Sequence, residues 1–271
     1  MPITAGIDIG ASATKAAVIQ GEVPARAELI GAAVLRSGVD FALSARQGFE
    51  LALAEAGLEA QRVERIFSCG YGRGNVDFAQ ETRTEIAAHA AAAFRHFPRA
   101  LTVLDIGGQD NKVIKLDDQG RRISFKMNRK CAAGTGAFLE EMALRLNVGL
   151  QEFDGLARSA RGEVTMGSFC TVFSATEVLA HIRKGVALPD LVKGLFRSVL
   201  KRALEMDNLD QTVVMTGGVA AHNPYLVEML SEMIGRPALT PPRPQLAGAE
   251  GAALLAMQSL LPRCDQSHPR P

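Results

Sequence analysis

Residues 3–10, ITAGIDIG, form an apolar run closed by a glycine, which predicts a buried strand feeding a tight turn. KAAVIQ (15–20) and GAAVLR (31–36) predict two further strands. The pattern then changes to a helical period over Phe41–Ala56, and Gly57 stands where a left-handed stop is wanted. VERIFSCGYGRG (63–74) predicts a short strand running into a glycine-rich loop. Thr82–Phe97 predicts an alanine-rich helix, ended by Pro98.

After Pro98 the pattern restarts. ALTVLDIGGQD (100–110), NKVIKLD (111–117) and RRISFKMN (121–128) predict three strands, separated by a glycine turn and by the DDQG turn. A helix is predicted from Thr135 to Leu146, and more helices through Leu204, one of them at Thr176–Arg183. QTVVMTGG (211–218) is a last strand, followed by helices at Pro224–Ile234 and Ala247–Leu260. DIGASATK (8–15) and DIGGQDNK (105–112) share the pattern D-I-G-x-x-x-x-K, each between two predicted strands. That match predicts a duplicated unit and an α/β chain of two related lobes. The expected division is 1–98 for an amino-terminal lobe completed by the helix at 246–261, then 99–245 for the second lobe, with 262–271 as a frayed tail.

Composition narrows the function classes. In 271 residues, 47% hydrophobic and 22% charged side chains support a packed core. Lys+Arg 30 against Asp+Glu 29 gives a net charge of +1, which offers no field for nucleic acid or an anionic membrane. The absence of Trp also argues against base-stacking surfaces. The amino terminus has no signal-peptide pattern and no apolar run is long enough to span a bilayer, so a cytoplasmic protein is expected.

The glycine turns carry the first candidate chemistry. Glycines let backbone N–H groups approach phosphate, Ser12 or Thr14 adds a hydroxyl donor, and Lys15 a point charge. Asp8 and Asp105, at strand ends, suit Mg²⁺ held through water. No GxxxxGK[ST] occurs, and GYGRG (70–74) lacks dinucleotide-fingerprint spacing.

DIGASATK, DIGGQD and TGGVA (216–220) resemble the two phosphate motifs and the adenosine motif of the acetate kinase, sugar kinase, Hsp70 and actin superfamily. With GYGR (70–73), FKMNRKCAAGTGAFLE (125–140) and CTVFSATEV (170–178), the chain to about Leu260 is similar to the BadF/BadG/BcrA/BcrD ATPase family. That family includes activators of (R)-2-hydroxyacyl-CoA dehydratases and ATPase subunits of benzoyl-CoA reductases. The resemblance implies a two-lobed actin-like fold of duplicated ribonuclease H-like lobes, with ATP and Mg²⁺ in the cleft between them. It assigns catalysis to Asp8, Asp105 and Gln109. Nucleotide binding falls to Gly10, Ser12, Thr14, Lys15, Gly107, Gly108, Gly134, Thr135, Gly136, Gly217 and Gly218.

The cysteines fit that implication. Two motif thiols per chain are too few for a cubane cluster, and a two-fold dimer doubles them to four. By resemblance, Cys131 and Cys170 hold a [4Fe-4S] cluster between two subunits, in a homodimer or a heterodimer with a related subunit. ATP hydrolysis would then drive single electrons from a ferredoxin- or flavodoxin-like donor to an acyl-CoA dehydratase or aromatic CoA reductase. Two departures bear on partner choice: Ala175 stands where activators commonly carry an acid, and Ala137 where the family often has Arg. Cys69 and Cys264 are unassigned, His89 and His96 read as solvated or core-edge, and His222 as a neighbour of the adenosine pocket. Asn223 is a candidate helix start, and Glu140 or Glu141 could reach ribose. The rival reading is a sugar or amino sugar kinase with Asp110 as its base.

Overall fold

The computed structural model describes residues 1–128, 131–162, 164–167 and 171–262. Its strands and helices run in chain order as β1 (Ile3–Ile9), β2 (Ala13–Gln20), β3 (Glu28–Arg36), α1 (Phe41–Ala56), β4 (Arg65–Gly70), β5 (Glu81–Thr82) and α2 (Glu85–His96). Then follow β6 (Leu101–Ile106), β7 (Asn111–Leu116), β8 (Arg122–Asn128), α3 (Gly136–Leu146), α4 (Phe153–Arg158), α5 (Thr171–Arg183) and α6 (Leu188–Met206). The chain closes with β9 (Thr212–Thr216), α7 (Gly218–His222), α8 (Pro224–Ile234), β10 (Ala238–Leu239) and α9 (Ala247–Leu260).

Two five-stranded sheets result, ordered β3-β2-β1-β4-β5 and β10-β9-β6-β7-β8. Each is an antiparallel three-strand meander with two parallel strands added beside its first strand. The repeated motif keeps its register: Asp8 lies opposite Lys15 and Asp105 opposite Lys112. The duplication inferred from four matched letters therefore extends over both whole sheets.

Local chemistry sets the boundaries. Asp40 caps α1 by accepting from Leu43 N at 2.9 Å, and Gly57 ends it at φ +64°. Thr84 caps α2 through Ala87 N at 3.2 Å. The helix predicted over Thr82–Phe97 is shorter because Glu81 and Thr82 pair with β4 instead. α5 begins at Thr171, earlier than the helix expected over Thr176–Arg183.

α2 and α9 join the two halves. α9, last among the described elements, packs on β1, β2 and β4 of the first sheet. α2 puts Ile86, Ala90 and Ala93 against the second sheet and Ala88 against Phe67, Cys69 and α9. Its alanines permit that double contact: a Cβ on Gly251 of α9 would lie 1.8 Å from the Ala88 carbonyl oxygen. The largest core fills the space between the second sheet and helices α3 to α8, around the fully buried Phe138, Phe153 and Phe196. Each such side chain contributes roughly 1.5–3 kcal/mol by leaving water.

Candidate functional site

The two repeated turns close in the same way. Gly10 N donates to Ala13 O at 3.0 Å, and Gly107 N to Asp110 O at 2.9 Å. They face each other so closely that a Cβ on Gly108 would lie 2.4 Å from Ser12 Oγ. Between them opens a cleft of about 1150 Å³. From the first turn Asp8, Gly10, Ser12 and Lys15 line it, and from the second Asp105, Gly107, Gly108 and Gln109. Gly136, Gly217 and Gly218 also lie on its wall.

Three expected residues lie elsewhere. Thr14 is fully buried, with its hydroxyl 2.8 Å from Ser37 Oγ. Gly134 and Thr135 sit behind the second turn, and the Thr135 hydroxyl donates to Ala132 O at 2.6 Å. Alternation along β2 turns Thr14 away when Lys15 faces the cleft.

Each aspartate is held in a matched setting. Lys15 Nζ donates to Asp8 Oδ2 at 2.9 Å, and Lys112 Nζ to Asp105 Oδ2 at 3.0 Å. A glycine with positive φ at the end of, or just after, the adjoining parallel strand backs each carboxylate, Gly70 (φ +88°) for Asp8 and Gly217 (φ +93°) for Asp105. A side chain at either would meet the carboxylate oxygen at 2.4 or 2.6 Å, so glycine is required there. GYGRG is thus the first-lobe counterpart of TGGVA, a match that their differing letters do not display.

The second aspartate sits in a wider network. Lys112, without exposed surface, reaches Asp110 at 2.6 Å, Glu85 at 2.9 Å and Asp105 at 3.0 Å. Burial alone would lower its pKa, but these three carboxylates hold it well above the usual lysine value. Burial would also raise Asp105, yet His89 and Lys112 outweigh it and hold the carboxyl at about 2. For Glu85 burial prevails over Lys112 and its pKa rises. Lys15 is raised: burial opposes its charge, and Asp8 outweighs burial.

Glu85 and His89 line the cleft beside Asp105, although neither is among the residues expected there. Thr216 Oγ1 donates to Asp105 Oδ1 at 3.2 Å, so the proton between Thr216 and His89 Nδ1, 2.9 Å apart, belongs to the imidazole. Read as a solvated or core-edge histidine, His89 is instead buried within the site. Ligand atoms of Glu85, His89 and Asp105 lie within 4.8 Å of one another, a spacing suited to a cation. The Lys112 ammonium bridges Glu85 and Asp105 there. The available signal was the capped start of α2, which aims Glu85 and His89, one turn apart, at the same point.

His96 pairs with Glu250 at 2.8 Å, outside the cleft. His222, Asn223 and Glu140 line it, whereas Glu141 pairs with Arg145 at 2.8 Å. Asn223 precedes α8, but its amide donates back to Val219 O at 2.9 Å rather than capping that helix. Asp110 is engaged by Lys112. Cys69 is buried under Asp8, its thiol donates to Gly248 O at 3.3 Å, and burial pushes its pKa well up.

Cys131 is an exposed thiol in the segment leading to α3. Cys170 and Cys264 lie outside the described residues. α3 and α5, which follow the two motif cysteines in sequence, contact each other, and α5 exposes Phe173 and Leu179. Ala175 is buried in the core and Ala137 donates its amide to Gly108 O, so neither departure from the family pattern is a bare surface change.

Two lobes of one topology, joined by α2 and α9 and facing each other through paired Asp–Lys turns, define an actin-like ATPase fold. A ROK family glucokinase from Streptomyces griseus shares that fold, at TM-score 0.58 and 14% identity. The family is narrower. Residues 5–256 match the model of the BadF/BadG/BcrA/BcrD ATPase family, and the chain belongs to it.

The 2-hydroxyisocaproyl-CoA dehydratase activator of Clostridioides difficile is 37% identical over 257 residues, 93% of this chain and 94% of that protein. A benzoyl-CoA reductase subunit from Thauera aromatica is 32% identical over 94% of this chain and 93% of its own. The (R)-2-hydroxyglutaryl-CoA dehydratase component of Acidaminococcus fermentans superposes at TM-score 0.89 with 34% identity, covering 96% of this chain and 99% of that one. The Clostridium difficile activator with bound ADPNP gives TM-score 0.87 with 35% identity, over 95% of each chain. No helix among the described residues is long and apolar enough to cross a membrane.

Proposed function

We propose that this protein is an ATP-driven electron-transfer activator of a 2-hydroxyacyl-CoA dehydratase or an aromatic CoA reductase, working in the cytoplasm. The observation that carries the reading is the pair of Asp–Lys turns facing each other across the cleft, with an exposed thiol, Cys131, just beyond the second turn.

Nucleotide phosphates would lie between the Gly10–Ala13 and Gly107–Asp110 turns, with the nucleoside end toward Gly217, Gly218 and His222. Asp8 fits Mg²⁺ held through water: its Oδ1 is buried and has no protein partner, while Oδ2 is taken by Lys15. Asp105, at the same place in the second lobe, would serve as its counterpart. Gln109 and Glu85, both on the cleft wall, would orient the attacking water. Glu85, with its raised pKa, is the better proton acceptor of the two.

Cys131 fits a cluster ligand because it is an exposed thiol rather than a core side chain, and Cys170 is its partner by motif. A second copy, or a related subunit, would complete the four thiolates of a [4Fe-4S] cluster. When bound, that group supplies one-electron chemistry, with a ferredoxin- or flavodoxin-like protein as donor. The chain's own part would be to hold Cys131 on a segment that follows the nucleotide turn.

The test is iron and sulfide content with visible and EPR spectra on anaerobically purified protein, beside Cys131→Ser and Cys170→Ser. About four irons per dimer, lost in both variants, is the expected result. An iron-free dimer that phosphorylates a sugar would replace this reading with the kinase.

A further inference from the structure

The Gly107–Asp110 turn and the segment carrying Cys131 are joined by more than chain continuity. Gly136 N donates to Gly107 O at 2.9 Å, and Ala137 N to Gly108 O at 2.7 Å. These are first-turn amides of α3, which have no acceptor inside their own helix. Thr135, at the cap position, makes no side-chain bond to them. The carbonyls of the turn therefore cap α3.

A side chain adds a third bond. Asn111, the first residue of β7 and fully buried, donates Nδ2 to Gly134 O at 2.8 Å. Its Oδ1 is buried without a protein partner. Keeping a buried carboxamide half-satisfied is a poor choice for stability alone. What the amide does achieve is to fix the carbonyl of Gly134, three residues beyond Cys131. Opposite it in register, Asn128 donates Nδ2 to Cys131 O at 3.4 Å, a weaker second tie on the other side of the thiol.

The alternation of β7 gives Asn111 its significance. Asp110 lines the cleft and is engaged by Lys112, while the next side chain points the other way, into the thiol-bearing segment. We infer that Asn111 is the positioning residue that makes the Cys131–Gly136 segment follow the Gly107–Asp110 turn. A change of phosphate occupancy at the turn then reorients the backbone beside Cys131. This rests on the functional reading above and names the bond that transmits the signal.

Hydrogen–deuterium exchange on the full-length, anaerobically purified protein tests it, comparing ADP with a non-hydrolysable ATP analogue. In the wild type, amides of both 105–110 and 131–137 should exchange at rates differing by about tenfold or more between the two nucleotides. Asn111→Asp is isosteric but has no donor for Gly134 O. It should keep the response at 105–110 and reduce that at 131–137 to within about twofold. Asn111→Ser, which is too short to reach and carries no charge, gives the same reading if the aspartate variant folds poorly. A purely structural role would raise exchange equally in both nucleotide states and leave their ratio unchanged.

Retention of the wild-type ratio at 131–137 in a folded variant would overturn the role of Asn111 while leaving the function intact. A wild type that responds at 105–110 but not at 131–137 would remove the coupling itself, and with it this part of the functional reading.

Discussion

At the scale of residues, the site is organised by a single buried ammonium. Lys112 stands among Asp105, Asp110 and Glu85, so its removal leaves carboxylates of which one is almost wholly enclosed. Truncating one partner of a buried charge cluster costs about 3–5 kcal/mol. Lys112→Met should lose stability of that order in urea titrations of the nucleotide-free protein. Lys15→Met, which strands only Asp8, should lose less. Equal losses would mean that the two lobes divide their charge more evenly than the distances suggest. Much of this network was hidden in the sequence because the repeat D-I-G-x-x-x-x-K displays Asp8, Lys15, Asp105 and Lys112 but not the helix that crosses them. Glu85 and His89 belong to an alanine-rich stretch whose composition looks like ordinary helix. Only tertiary placement turns them into site residues.

At the scale of elements, the seam between α2 and α9 depends on the absence of side chains. Gly251→Ala would bring a methyl group to 1.8 Å from the Ala88 carbonyl oxygen, which cannot be accommodated without separating the helices. A loss of about 1–3 kcal/mol, read as a fall in Tm, is expected. A control at Gly74, where a Cβ would meet nothing within 4 Å, should change Tm little. Elements with strong local signals were legible from sequence to the residue: Phe41–Ala56 has a cap at one end and a left-handed glycine at the other. Those without them were not. β5 and β10 are two residues each and exist only because a parallel neighbour offers hydrogen bonds, and α7 is a five-residue helix after Gly217. Thr14, Gly134 and Thr135 show the same limit within a motif. A motif names the residues of a turn, whereas the pleat and the packing behind it decide which of them face the cleft.

At the scale of the molecule, the two sheets meet through two helices and a pair of turns, with a cleft of about 1150 Å³ between them. Phosphates bridging both turns would draw the lobes together. Small-angle scattering should therefore give a smaller radius of gyration with a non-hydrolysable ATP analogue than without nucleotide, and hydrolysis to ADP should partly reverse it. An unchanged radius would show that the turns sense the nucleotide without moving the lobes.

The return of α9 to the first sheet bears on how the protein is made. Phe67 and Cys69 belong to a first-lobe strand, yet the surface that buries them includes Ala252 and Ala256, which are synthesised only after the whole second lobe. On the ribosome, the amino-terminal lobe must wait with an uncovered apolar face while the whole second lobe is built. The lobe begun before the other is finished after it, and nascent chains stalled before Ala247 would be natural clients for chaperones.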